Sequence, residues 1–328
     1  MLPESVASLP KAELHLHLEG SIQPGTVCAL TARHGVTVTG DEVRRRYAYQ
    51  NFSEFLETFK WVTSLLRDPR DYALITHELA EQLLSQRVMY AEVTISIGVM
   101  LLRKQRPETN FEAILAAAEP FESRGLRMNW IFDGVRQFGA EAASRVVEAA
   151  KQCASKSIVA FGIGGDELSV PTKELRPVYE QAAALGLHRI IHAGEIGGPE
   201  KIREAVELLG AERIGHGIAA INDPALMDLL ADRRIPLEIC PQSNIRTGAL
   251  ALQLRRVVAR IEDHPLLALF RHGIPIVLST DDPAMFHTTL LNEYEHAHQL
   301  GMTENELLRL AQMSFDFAFE RKNSRTAV

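Results

Sequence analysis

Cysteine is scarce. Cys28, Cys153 and Cys240 are the only three in 328 residues. That is too few for a disulfide framework, and their spacing is too wide for a thiolate zinc site. Burial as small apolar residues in a reducing compartment is the ordinary role left for them. An excess of positive charge is also missing: 35 Lys and Arg stand against 42 Asp and Glu, a net charge of −7. A nucleic-acid or anionic-membrane partner is therefore not expected. No apolar run reaches the ~18–20 residues of a membrane-spanning helix. The opening Met1-Leu2-Pro3-Glu4-Ser5 has neither the basic start nor the apolar stretch of a signal peptide, which makes the cytoplasm the expected location. Low-complexity tracts, linkers and internal repeats are lacking too, so one domain over 1–328 is the expectation.

What is present is globular: 46% hydrophobic and 23% charged residues. Short β-rich runs alternate with longer amphipathic stretches. The runs are 12–18, 88–95, 127–133, 158–163, 189–193, 213–216, 236–240 and 274–280. Helical patterns fall between them at 70–86, 110–122, 140–154, 173–185, 199–209, 224–232 and 265–271. Two more follow, near 290–300 and 304–319. Strands alternating with helices make a parallel sheet, and eight such units predict a closed (β/α)8 TIM barrel. An open nucleotide-binding sheet would place a glycine-rich phosphate turn after its first strand. Here that strand ends in His15-Leu16-His17-Leu18-Glu19-Gly20, and Gly162-Ile163-Gly164-Gly165 lacks the third spaced glycine. A helical insertion at 51–67 carries Phe52, Phe55, Phe59 and Trp61 at helical spacing, and reads either as ordinary packing or as a lid over the barrel mouth.

Polar residues gather at the C-terminal strand ends, where barrel enzymes keep their chemistry. These are His15 and His17, Gly164-Gly165-Asp166-Glu167, His192-Ala193-Gly194-Glu195, His216, Cys240-Pro241-Gln242-Ser243-Asn244 and Asp281-Asp282. His-x-His on a strand turns both imidazoles to one face. Joined by His192 and Asp281 they form a three-nitrogen, one-carboxylate set that suits zinc, with iron, manganese or cobalt as substitutes. The alternative is four separately hydrogen-bonded core residues. Glu195 and His216 are free of that set. A buried carboxylate beside a metal can move protons. An imidazole there can orient a water. Their ordinary roles are an acid at a helix N-terminus and a packed core histidine.

Five runs together carry a resemblance. Glu13-Leu-His-Leu-His-Leu-Glu-Gly-Ser21, His192-Ala-Gly-Glu195, Arg213-Ile-Gly-His-Gly217, Cys240-Pro-Gln-Ser-Asn244 and Ser279-Thr-Asp-Asp-Pro283 resemble, in order and over nearly the whole chain, the adenosine deaminase family of the amidohydrolase superfamily. The resemblance implies one zinc on His15, His17, His192 and Asp281. It implies that Glu195 exchanges a proton with purine N1 and that His216 holds the attacking water. Asp281 would accept that water's proton, Asp282 would meet N7, and the Gly165 backbone would meet N3. The implied reaction is hydrolytic replacement of a 6-amino group with release of ammonia. The Gly-Gly-Asp-Glu end of strand four has no lysine to bridge two metals, which favours one ion. All of these residues are present, against a catalytically dead binding barrel.

Departures from the family pattern fall on the mouth loops. Glu19 stands where Asp is usual, beside the ribose 5′-hydroxyl. The usual Arg-Phe-Ser-Pro after strand two is replaced by 94–104, and the loop at 245–262 is long and carries Arg246. These changes point to an adenosine extended at its 5′ end, such as aminodeoxyfutalosine of menaquinone biosynthesis. Its benzoate would want Arg103, Lys104 or Arg246. Phe55 and Phe59 are expected to cover the substrate. Adenosine is the alternative, ahead of free adenine and of an N6-methyl adenine nucleotide. Oligomeric state is not legible.

Overall fold

The structure, a computed structural model, describes residues 2–49 and 51–319. Met1, Gln50 and 320–328, including the ends of the expected 1–328 unit, lie outside the described residues. Eight parallel strands run in sequence order: β1 (Lys11–His17), β2 (Val88–Ile95), β3 (Arg127–Val135), β4 (Ile158–Gly164), β5 (His188–Ala193), β6 (Arg213–His216), β7 (Leu237–Ile239) and β8 (Ile276–Leu278). The barrel closes just beyond β8. Asp281 N–H donates to His15 O at 3.0 Å, and His17 N–H donates to Asp281 O at 2.8 Å. The (β/α)8 expectation is met, and each expected strand is found within a few residues.

Local chemistry explains the helices that follow the strands. Several begin with proline at the first turn, where its missing N–H has no partner to lose. Examples are Pro69–Ser85, capped by Asp68, and Pro224–Asp232, capped by Asp223. Their apolar faces pack on the outward residues of the strands, such as Trp130 and Phe132 of β3. Ile131, between them, belongs instead to a small inner cluster with Ala160 and Ile190. That alternation, period two along each strand, sends every second side chain into the barrel.

The connection from β1 to β2 is richer than the sequence suggests. Helices Pro24–Arg33 and Gly40–Arg46 precede the expected insertion, which is itself a helix, Phe52–Thr63. Asn51 starts it by accepting from Glu54 N–H at 3.0 Å. Arg103 ties down its other end, donating to Lys60 O and Thr63 Oγ1. The long loop after β7 also contains helices, Pro241–Arg246 and Ala249–Gln253.

Candidate active site

β1 delivers two of the four expected ligands. Its register against β2 slips between Glu13 and Leu16, so three steps on β1 match two on β2. Such bulges re-aim side chains near active sites. His15 lies in this stretch and His17 just after it, both buried. His192 comes from β5 and Asp281 from the barrel-closing segment, held at φ +68°. One donor atom from each of His15, His17, His192 and Asp281 lies within 4.8 Å of the others. The imidazole of His15 is 4.7 Å, centroid to centroid, from that of His192 and 5.5 Å from that of His17.

The surroundings orient these ligands. His15 Nδ1 donates to Glu238 Oε2 at 2.6 Å, which leaves Nε2 facing the cluster. That Nε2 is buried and has no hydrogen-bond partner. His192 Nδ1 donates to Ile163 O at 3.3 Å, likewise freeing Nε2. Ser243 Oγ donates to Asp281 Oδ2 at 2.6 Å. Burial pushes His17 and His192 down to about 3, so both are neutral and keep a lone pair. Burial opposes charge on His15 as well, but Asp281 and Glu238 outweigh it and lift it to about 10. The carboxylates thus favour a positive charge at this point. An orphaned imidazole nitrogen, three nitrogens with one carboxylate, and a field that favours a cation fit a divalent metal ion.

Beside the cluster stands His216, at φ +61°. A hydrogen-bond chain fixes its tautomer. Leu266 N–H donates to His264 Nδ1, so His264 Nε2 carries the proton and donates to Asn244 Oδ1 at 3.1 Å. Asn244 Nδ2 therefore faces His216 Nδ1 and donates to it at 3.0 Å. Burial pushes His216 down to about 3. The neutral ring then has its one N–H on Nε2, 3.6 Å from Glu195 Oε2 and 3.8 Å from Asp281 Oδ2. It is a donor toward the cluster, not an acceptor.

Glu195 is buried, and that burial pushes its carboxyl well above the usual range. Its loop is held by Glu167, which accepts from the N–H groups of Gly194, Glu195, Ile196 and Gly197 at 2.5–3.2 Å. Gln253 adds two hydrogen bonds at 2.8 Å, to the carbonyls of Glu195 and Gly197. Glu167 stood in the Gly-Gly-Asp-Glu run, but nothing in the sequence marked it as the anchor of a loop 27 residues away.

One cleft joins these groups. His17, His192, Glu195, His216, Asp281, Asp282 and Gly165 line it, as do Phe55 and Phe59 with Phe52, Leu56 and Lys60 of the same helix. The insertion therefore covers the mouth, while Trp61 turns away and lies under Arg46. Two glycines leave room for the site. A Cβ on Gly215 would come within 2.8 Å of His15 Cε1, and one on Gly20 within 1.7 Å of Asp282 Oδ1. Ser96 and Asp133, from the ends of β2 and β3, also line the cleft, although neither is among the expected site residues.

Two expected substrate contacts lie elsewhere. Glu19 is buried outside the lining, its Oε1 accepting from Ser96 N–H at 3.1 Å. Arg246 donates to Tyr47 O at 3.0 Å and stands over the Tyr49 ring. Both long side chains find partners within the protein before they reach the cleft. Arg103, bound to the lid helix, is spent in the same way.

Known proteins can be set against this site. The family described as adenosine deaminase matches residues 10–328. The chain belongs to the adenosine deaminase family. It is 37% identical to an aminodeoxyfutalosine deaminase of Streptomyces coelicolor over 321 residues, covering 96% of this chain and 81% of that protein. It is 35% identical to an adenine deaminase of the same organism over 321 residues, 96% of this chain and 92% of that one. The crystal structure of an adenine deaminase from Arthrobacter aurescens superposes with a TM-score of 0.88 at 29% identity, over 97% and 96% of the two chains. This family member is a metal-dependent hydrolase that deaminates a 6-aminopurine compound. Among the described residues no helix is long and apolar enough to cross a membrane.

Proposed function

We propose that the chain deaminates a 5′-extended adenosine, aminodeoxyfutalosine, to the 6-oxopurine nucleoside futalosine, releasing ammonia in menaquinone biosynthesis. The observation that carries this reading is the apolar wall of Phe52, Phe55, Leu56 and Phe59 with Lys60 on the same helix. It continues the cleft beyond the ligand cluster and offers an aromatic carboxylate both a surface and a cation. Lys60 is held only by an exposed pair with Glu57 at 2.5 Å, which a carboxylate can displace at little cost, and so replaces Arg246 as the expected benzoate partner. Relatives at 37% and 35% identity leave free adenine as the second reading, now ahead of adenosine.

His15, His17, His192 and Asp281 would hold the metal, taken as zinc. When bound, zinc lowers the pKa of a water to about 7 and so supplies a nucleophilic oxygen at neutral pH. The chain's own residues do the rest. Glu195, kept protonated by burial, gives its proton to N1, which weakens the aromatic resistance to addition at C6. His216 donates its Nε2–H to the oxygen that arrives at C6. Asp281 Oδ2, steadied by Ser243, accepts the proton that oxygen loses and passes it to the 6-amino group, so that the C6–N bond breaks and ammonia leaves as the C6 carbonyl forms. Asp282, whose Oδ1 is buried without a partner, faces N7, and the Gly165 N–H donates to N3. The phenylalanine wall excludes water from the base.

The test is kcat/KM for ammonia release from aminodeoxyfutalosine, adenine and adenosine with zinc-loaded protein. A preference of at least tenfold for the extended nucleoside is expected, since a charge-assisted contact is worth ~1.5–3 kcal/mol. Lys60→Ala should raise its KM about tenfold and leave that of adenine unchanged. Faster turnover of adenine would overturn the nucleoside reading.

A further inference from the structure

The barrel beneath the cluster is not filled by apolar side chains alone. Arg213, at the start of β6, is completely buried. Its Nε donates to Glu238 Oε1 at 2.5 Å. One terminal nitrogen donates to Glu92 Oε2 at 2.6 Å and the other to Phe317 O at 2.9 Å. The second oxygen of Glu238 takes the proton of His15 Nδ1 at 2.6 Å. A single carboxylate thus joins a cluster ligand to a guanidinium on the barrel floor.

The floor is closed by the segment 317–319. The Phe319 ring covers the Arg213 guanidinium at 3.7 Å and stacks on His188 at 4.0 Å, 7° from parallel. Phe319 N–H donates to Glu92, and its carbonyl accepts from Tyr90 O–H at 2.9 Å. Every link in this column is direct, from the floor segment to the imidazole that faces the cluster.

We propose that segment 317–319 is a positioning element for the ligand His15, acting through Arg213 and Glu238; this rests on the metal-site reading above. A metal-ligating histidine depends on the group that takes its other N–H for its tautomer, ring angle and basicity. Glu238 can do this only while its plane is fixed. Arg213 fixes it, because a guanidinium presents its donors in a rigid fork. Arg213 is held in turn by Glu92 and by the aromatic cover that keeps water from its face. Loss of the cover lets water compete for the guanidinium, and the pull on His15 Nδ1 slackens. The floor residues touch neither metal nor substrate, so their effect runs through His15.

The experiment measures zinc affinity of the full chain by competition with a chromogenic chelator, and the visible spectrum of the cobalt-loaded protein. Glu238→Gln should weaken affinity about 10–100-fold. Phe319→Ala should weaken it severalfold and shift the cobalt bands, whereas Phe319→Tyr, which keeps the cover, should match the wild type. Ile131→Ala is the control, since Ile131 shares the inner cluster with Phe319 but offers no polar group to the hydrogen-bonded links from Glu92 to His15. It should lower the melting temperature and leave affinity and spectrum alone. If Phe319→Ala does not fold, Phe319→Leu takes its place. Equal affinities for the Phe319 and Ile131 variants would overturn the proposal. A wild-type chain that binds no metal would overturn the metal-site reading and this proposal together.

Discussion

The two ends of the barrel treat buried polar groups in opposite ways. On the floor, Arg213 meets two carboxylates and two carbonyls within 2.5–3.4 Å. At the mouth, His15 Nε2 and Asp282 Oδ1 are buried without a hydrogen-bond partner. Two non-glycine residues there, His216 and Asp281, also hold positive φ. Unpaired buried polar groups and strained backbone both cost stability and persist where function needs them. Paired groups at the floor are spent on the fold. Unpaired groups at the mouth are available to a metal and a purine.

The sharpest way to test this contrast is to remove mouth groups one at a time. Glu195→Gln is expected to keep its metal and lose ~10²–10⁴-fold in kcat, because the proton for N1 is gone. His17→Ala should lose the metal itself. Metal analysis after dialysis, run beside ammonia-release assays, separates the two. Equal activity in Glu195→Gln would remove that residue from proton transfer.

A smaller effect sets one end against the other in stability. Glu92→Ala strips a partner from a fully buried guanidinium and should cost ~3–5 kcal/mol in urea unfolding. Asp282→Asn removes a carboxyl that the fold does not satisfy, and should leave stability unchanged or slightly raised. If both variants lose stability equally, the distinction between spent and available groups fails.

A third effect is in pH. Glu293, next to the mouth segment, is buried and pushed up to about 8, although Thr288 Oγ1 and Gln242 N–H donate to it. Its folded pKa lies above its unfolded value. Its contribution is therefore full below about 4.5 and is lost as pH rises through about 8. Glu293→Gln should flatten the fall in melting temperature over that interval. An unchanged slope would assign the fall to other groups.

The barrel was legible because strands and helices alternate in pattern, and eight alternations admit few architectures. The cluster of His15, His17, His192 and Asp281 was legible because such residues are chemically unusual at strand ends. Helices Pro24–Arg33 and Gly40–Arg46 were not, since segments of ten and seven residues make too few turns to display an apolar stripe. Arg213, Glu92 and Glu238 form a network across 25 and 121 positions, and nothing local tells a buried charge from a solvated one. Glu19 and Arg246 show a related limit: residue type and loop position do not tell where a long side chain points. Asp133 is equally illegible, since a lone carboxylate within an apolar strand looks the same whether it faces the cleft or the packing.

Gly20 and Gly215 carry a consequence for any attempt to read this enzyme by saturation mutagenesis. Neither can bear even a methyl group without displacing Asp282 or His15. In a selection for activity both will score as intolerant as a metal ligand, though neither has a side chain to offer metal or substrate. A fitness map alone would therefore count empty space as chemistry. Only the metal content and fold of the Gly215→Ala protein would tell the two apart.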